Sequence, residues 1–88
     1  MRPITRIRYR RIDNLEVSED IFIGSSIVRI LHIPMVSNFN TLVIHQFFPS
    51  PKNLKVVSSP TMKTAKIQVR RWLVKHGASL APEVRKKK

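Results

Sequence analysis

The sequence predicts an α+β layer: a small β-sheet of three to four strands covered by one main helix in the C-terminal half, with a short basic tail. Three observations predict it. Within residues 4–10, Arg alternates with Thr, Ile and Tyr from Thr5 to Arg10. Residues 27–33 and 41–48 are two apolar, β-branched runs separated by a short polar stretch. From Ala65 onward the apolar spacing changes from period two to the helical period.

The first element is read from Ile4-Thr5-Arg6-Ile7-Arg8-Tyr9-Arg10. On a strand, Arg6, Arg8 and Arg10 take one face and Thr5, Ile7 and Tyr9 take the other. An outward row of Arg serves an ordinary edge strand, where charge discourages edge pairing. Three Arg followed by Arg11, with no acid among them, favour an anionic partner instead. Residues 12–26 read mainly as a loop, with turns at Asp13-Asn14 and Ser25-Ser26. Within it, Ile21-Phe22-Ile23 before Gly24 is either a short strand or a loop anchor.

Residues 27–33 read as a central strand that Pro34 ends, and 41–48 as its partner across a turn at residues 37–40. Pro49-Ser50-Pro51 breaks the sheet, residues 54–57 form a short extended piece, and Ser58-Ser59-Pro60 is a second break. Ala65, Val69, Trp72, Leu73 and His76 then share one helical face. Arg71 and Lys75 line one flank of that helix, and Lys66 and Arg70 the other. Thr64, or Ser59 further back, is the expected N-cap, and Gly77 stands where a helix-ending glycine belongs. Pro82-Glu83 opens a last short turn. With no repeat and no Gly/Ser linker, residues 1–84 read as one domain and 85–88 as a basic tail.

Composition narrows the function. The 88 residues carry 17 Lys and Arg against 5 Asp and Glu, a net charge of +12. Hydrophobic residues make up 42%, too many for a basic disordered tail. There is no Cys, so neither a disulfide framework nor a thiolate zinc site is available. No apolar run approaches the roughly 20 residues of a membrane helix, and the charged stretch at 6–11 speaks against a secretory signal. A folded chain with this field calls for a polyanion, above all nucleic acid. So small a domain buries roughly 60–65% of its chain surface. Its self-repulsion adds to that marginality, so its partner is expected to complete the folded state.

The charge is segregated. Five Arg and no acid occupy residues 1–11; Arg29 and four acids, Asp13, Glu16, Glu19 and Asp20, occupy 12–44; eleven bases and Glu83 occupy 45–88. The expected phosphate contacts are Arg6, Arg8, Arg10 and Arg11 on the first strand and Lys63, Lys66, Arg70, Arg71 and Lys75 on the helix. Arg29, and Arg85, Lys86, Lys87 and Lys88 in the tail, complete the set.

Catalytic patterns are scarce. His32, His45 and His76 lack metal-ligand spacing, although His32 and His45 fall in strands that can set them side by side. Two glycines cannot make a phosphate-binding glycine loop. No serine has a nucleophile-elbow setting. Four clustered carboxylates keep a small metal-dependent nuclease as an alternative. Tyr9 and Trp72 read as core, while Phe47-Phe48 is the pair able to expose a ring for base stacking. The residue reading is therefore a nucleic-acid binder without enzymatic activity, metal, cofactor, small-molecule substrate or membrane contact.

Several segments together resemble the bacterial-type small-ribosomal-subunit protein sixteen family. The family opens with a strand similar to K-I-R-L-x-R, here Arg6-Ile7-Arg8-Tyr9-Arg10-Arg11. A strand similar to Y-R-I-V-V follows, here Val28-Arg29-Ile30-Leu31, and then G-F-[FY]-x-P, here Gln46-Phe47-Phe48-Pro49 with the Gly changed and the Pro one place early. The helix pattern R-[IV]-x-x-W-L-x-x-G-A, with a later Val, is met by Gln68-Val69-Arg70-Arg71-Trp72-Leu73-Val74-Lys75-His76-Gly77-Ala78 and Val84, with one added residue before Gly77. The loop between Arg11 and Val28 is longer than usual, and the basic turn after the second strand has become residues 37–40. Such drift is similar to an organellar member, mitochondrial first, with plastid or bacterial cytoplasm as alternatives. The resemblance implies a structural and assembly component of the small subunit, bound to the 5′ domain region of its rRNA and to neighbouring ribosomal proteins. A free-standing RNA- or DNA-binding module is the other binding reading.

Overall fold

The computed structural model describes residues 2–33 and 38–81. The architecture is α+β, as the sequence predicts, but the sheet has seven strands rather than three or four. In chain order these are β1 (Tyr9–Ile12), β2 (Leu15–Ser18), β3 (Ile21–Ile23), β4 (Ser26–Ile33), β5 (Asn40–Phe48) and β6 (Lys52–Ser59). Helix α1 (Met62–Lys75) and a two-residue β7 (Ser79–Leu80) follow. Every pairing is antiparallel. β4 is the centre. β5 and then β6 lie on one side of it, while β2 and β3 share its other edge end to end. β1 extends outward from β2, and β7 from β3.

The added strands come mostly from residues 12–26, the stretch expected to be a loop. Two hairpins fold it back on itself, with two-residue turns at Asp13-Asn14 and Gly24-Ser25. In each turn the first central residue has positive φ, 57° at Asp13 and 59° at Gly24, the backbone that suits the twist of paired strands. Strands of three and four residues are too short for period-two alternation to stand out. Similarly, residues 54–57 are the middle of the longer β6, and 49–51 form its hairpin turn with β5, entered through a cis Phe48–Pro49 bond.

Between β2 and β3 the register against β4 slips by one residue. Val17 pairs with Leu31, whereas Ile21 pairs with Val28. Such a slip interrupts the ladder. Ser18, buried at this point, repairs it: its Oγ accepts from Ile30 N–H at 2.8 Å and donates to the Glu19 carbonyl at 2.8 Å.

The expected strand over residues 4–10 starts only at Tyr9. Upstream, Thr5 N–H donates to the Pro3 carbonyl and closes a turn, which drops Ile4 into the core. Arg2 then bridges to Leu80, and its guanidinium reaches Glu19 and the Ala81 carbonyl. Glu19 also accepts from the Arg8 backbone N–H at 2.9 Å. These ties satisfy the segment without a further strand partner.

Helix α1 begins one turn earlier than expected. Thr61, not Thr64 or Ser59, is the N-cap, and its Oγ1 accepts from Thr64 N–H at 3.2 Å. The helix ends as the sequence predicts. Gly77, at φ 72°, donates to the Val74 carbonyl, and Ala78 N–H to the Leu73 carbonyl at 2.9 Å, the paired bonds of a Schellman ending. Ala65, Val69 and Leu73 press into a core of Ile4, Ile21, Val28, Ile30, Leu42, Ile44, Val57 and Leu80. Trp72 and His76 do not complete this stripe as expected. Trp72 is half-buried at its edge and stacks on the exposed His76 ring, with centroids 3.8 Å apart.

Candidate nucleic-acid interface

The cations that converge come from the two ends of the chain. Lys63, Lys66 and Arg70 follow one another at three- and four-residue spacing, so they share a stripe of α1. This stripe faces the segment before β1. Arg6, Thr5, Ile7 and Tyr9 complete a groove of about 420 Å³ with Lys63, Lys66, Ile67 and Arg70. None of the residues lining it is acidic.

Tyr9 forms one wall. Lys66 Nζ lies 4.1 Å from the centre of its ring and 4.0 Å from Glu16 Oε1. Burial pushes the Tyr9 phenol well above its ordinary range, and the Glu16 carboxylate adds to the effect. The wall is therefore a neutral aromatic surface flanked by cations. Close by, His32 Nδ1 lies 3.7 Å from Glu16, while its buried Nε2 has no hydrogen-bond partner among the described residues.

The expected row of Arg6, Arg8 and Arg10 is divided. With the strand starting at Tyr9, Arg6 turns to the groove, while Arg8 and Arg10 line a second hollow of about 510 Å³ with Arg29, Glu19 and Asp20. Arg29 Nε donates to Asp20 Oδ1 at 2.7 Å, and its guanidinium lies 4.6 Å from the centre of the Phe47 ring. Arg11 is exposed on β1 opposite Glu16. Arg71 and Lys75 are exposed on α1 and line neither hollow. Arg85, Lys86, Lys87 and Lys88, the turn at Pro82-Glu83, and Ser37 of the expected turn lie outside the described residues.

The carboxylates are spread apart rather than gathered. Asp13 sits in a hairpin turn, Glu16 faces Lys66 and His32, Glu19 holds Arg2, and Asp20 holds Arg29. Among the described residues, no three of His, Asp and Glu come together as a metal site would require. His32 and His45, thought able to sit side by side, occupy opposite faces of the sheet. His32 pairs with Leu42 of the core face and His45 with Arg29 of the other. Sequence reasoning missed Arg2 as the clasp of the first segment, Tyr9 as a groove wall and the Arg29–Phe47 contact. The basic first segment hints at the first; the other two depend on tertiary approach. Compared with known proteins, the chain matches no family model, no curated protein and no solved structure.

Proposed function

We propose that this chain is a structural constituent of the small ribosomal subunit, of the mitochondrial kind. It binds small-subunit rRNA in the 5′ domain region, beside neighbouring ribosomal proteins, in the mitochondrial matrix. The observation that carries the reading is the acid-free groove in which Arg6 meets Lys63, Lys66 and Arg70. Two elements far apart in sequence bring their cations to one groove, so two phosphate backbones can be held at one place. Neutralising both lowers the repulsion between converging RNA helices and favours their compact arrangement. The sequence resemblance supplies the particle; the groove supplies the binding chemistry. The role needs positioning and charge rather than a reacting group.

Sedimentation tests it. The native chain should travel with small ribosomal subunits through a gradient and leave them only when salt is raised. A chain that stays at the top of the gradient at low salt, yet still binds naked RNA, is a free-standing module and contradicts the ribosomal reading.

A further inference from the structure

The groove and α1 lie on one face of the sheet. On the other face no described helix is packed; Val17 and Val43 are buried there, and its exposed apolar side chains are Val56 and Phe47. Cross-strand register puts Arg10, Val17, Leu31, Val43 and Val56 in one row across that face, and Arg29, His45 and Asn53 in the next. Phe47 joins the second row, because its ring lies under the Arg29 guanidinium at 4.6 Å. It is 37% exposed. His45 Nδ1 and Asn53 Oδ1 are 2.8 Å apart, which fixes the imidazole beside this pair.

From these contacts we infer that the open sheet face is a platform for an unpaired RNA base, stacked on the Arg29–Phe47 pair. The inference rests on the nucleic-acid reading above and adds a second mode of recognition to it. A guanidinium plane held over a ring offers a flat cationic surface of the kind on which exposed bases stack. Asp20 holds Arg29 by its Nε alone, and its terminal nitrogens have no acceptor among the described residues, so they can reach a phosphate next to the stacked base. Arg8 and Arg10 line the adjoining hollow with Arg29, together with Glu19 and Asp20, which are engaged by Arg2 and Arg29. A strand of nucleotides leaving the platform therefore meets further cations. Charge favours this occupant over a protein segment, because an apolar partner would have to cover the guanidinium groups along with Val56 and Phe47. Duplex RNA cannot use the platform, since its bases are already stacked within the helix.

The test uses the whole chain and two probes, a single-stranded uridine oligonucleotide of about 12 nucleotides and an RNA duplex with the same number of phosphates. Binding is followed by fluorescence anisotropy at fixed salt. Phe47→Leu keeps an apolar side chain and removes the ring. It should weaken single-strand binding by roughly 5- to 150-fold, the range for losing one stacked base, while duplex binding and the salt dependence of both probes stay as in the parent. Phe47→Trp should restore the single-strand affinity. Arg29→Lys keeps the charge but removes the plane, and should reproduce the selective loss. Equal losses on both probes, or none on either, overturn the platform. So does Phe47-dependent self-association of the RNA-free chain, which would assign the face to protein docking. A parent chain that binds the duplex but not the single strand overturns the platform alone. One that binds neither probe overturns the nucleic-acid reading beneath it.

Discussion

Gly77 shows how one residue can set the end of an element. Its φ of 72° lies in the left-handed region, and nothing stands within 4 Å of where a Cβ would be. Gly77→Ala therefore meets no clash, and its cost is backbone strain alone, about 1–2 kcal/mol. Chemical denaturation should read that loss with the slope of the transition unchanged. Tyr9 offers a second test, made clean because it is the only tyrosine in the chain. Its raised phenol holds its proton more tightly in the folded state than in the unfolded one. Stability linked to Tyr9 is thus whole below the unfolded value of about 10 and is lost as pH climbs through the folded value. Phenolate absorbance should stay low at pH values where free tyrosine has ionised, and appear with alkaline unfolding. Ordinary titration in the folded chain would contradict the burial of this ring.

Among the elements, the joint between β2 and β3 is the most demanding. Ser18→Ala removes the acceptor for the Ile30 N–H in a buried site and should cost about 1–3 kcal/mol. Native-state hydrogen exchange should show Ile30 losing protection first. On α1, Leu73 is fully buried, so Leu73→Ala should cost about 2–5 kcal/mol. Trp72→Ala should cost less, because half-burial and a surface stack on His76 leave less area to lose. Thermal melts of the two variants rank them directly. The long elements were legible beforehand. β4, β5 and α1 each repeat their period over eight or more residues, and Gly77 marks the helix end by its own chemistry. β2 and β7 were not, because two to four residues carry no period, and β3 stood only as one of two readings of residues 21–23; the hairpins of β2 and β3 depend on Asp13 and Gly24 taking positive φ. Of the two helix flanks read from the spacing, that of Lys66 and Arg70, joined by Lys63, is the one that lines the groove. The meeting of these helix cations with Arg6 was hidden, because the strand starts only at Tyr9, so that Arg6 and Arg8 lie ahead of it and do not share a strand face with Arg10.

Across the whole molecule, excess charge is organised rather than merely abundant. The helix stripe and the first segment make one groove, while Glu19 and Asp20 engage Arg2 and Arg29 outside it and Glu16 lies beside Lys66 and His32. If phosphates are what this groove holds, counterion release governs its affinity. Each neutralised phosphate then adds about 0.9 to the slope of log affinity against log salt. Six or more contacts imply a loss of about 10³-fold or more between 50 and 200 mM salt. The most direct measurement compares that slope for the parent chain and for a variant with Arg6, Lys63, Lys66 and Arg70 all changed to Gln, on one small-subunit rRNA fragment. The parent slope should be steep and should fall by about 3–4 in the variant, since four phosphate contacts are removed. A flat parent slope, or a variant slope equal to the parent's, would contradict phosphate binding in this groove.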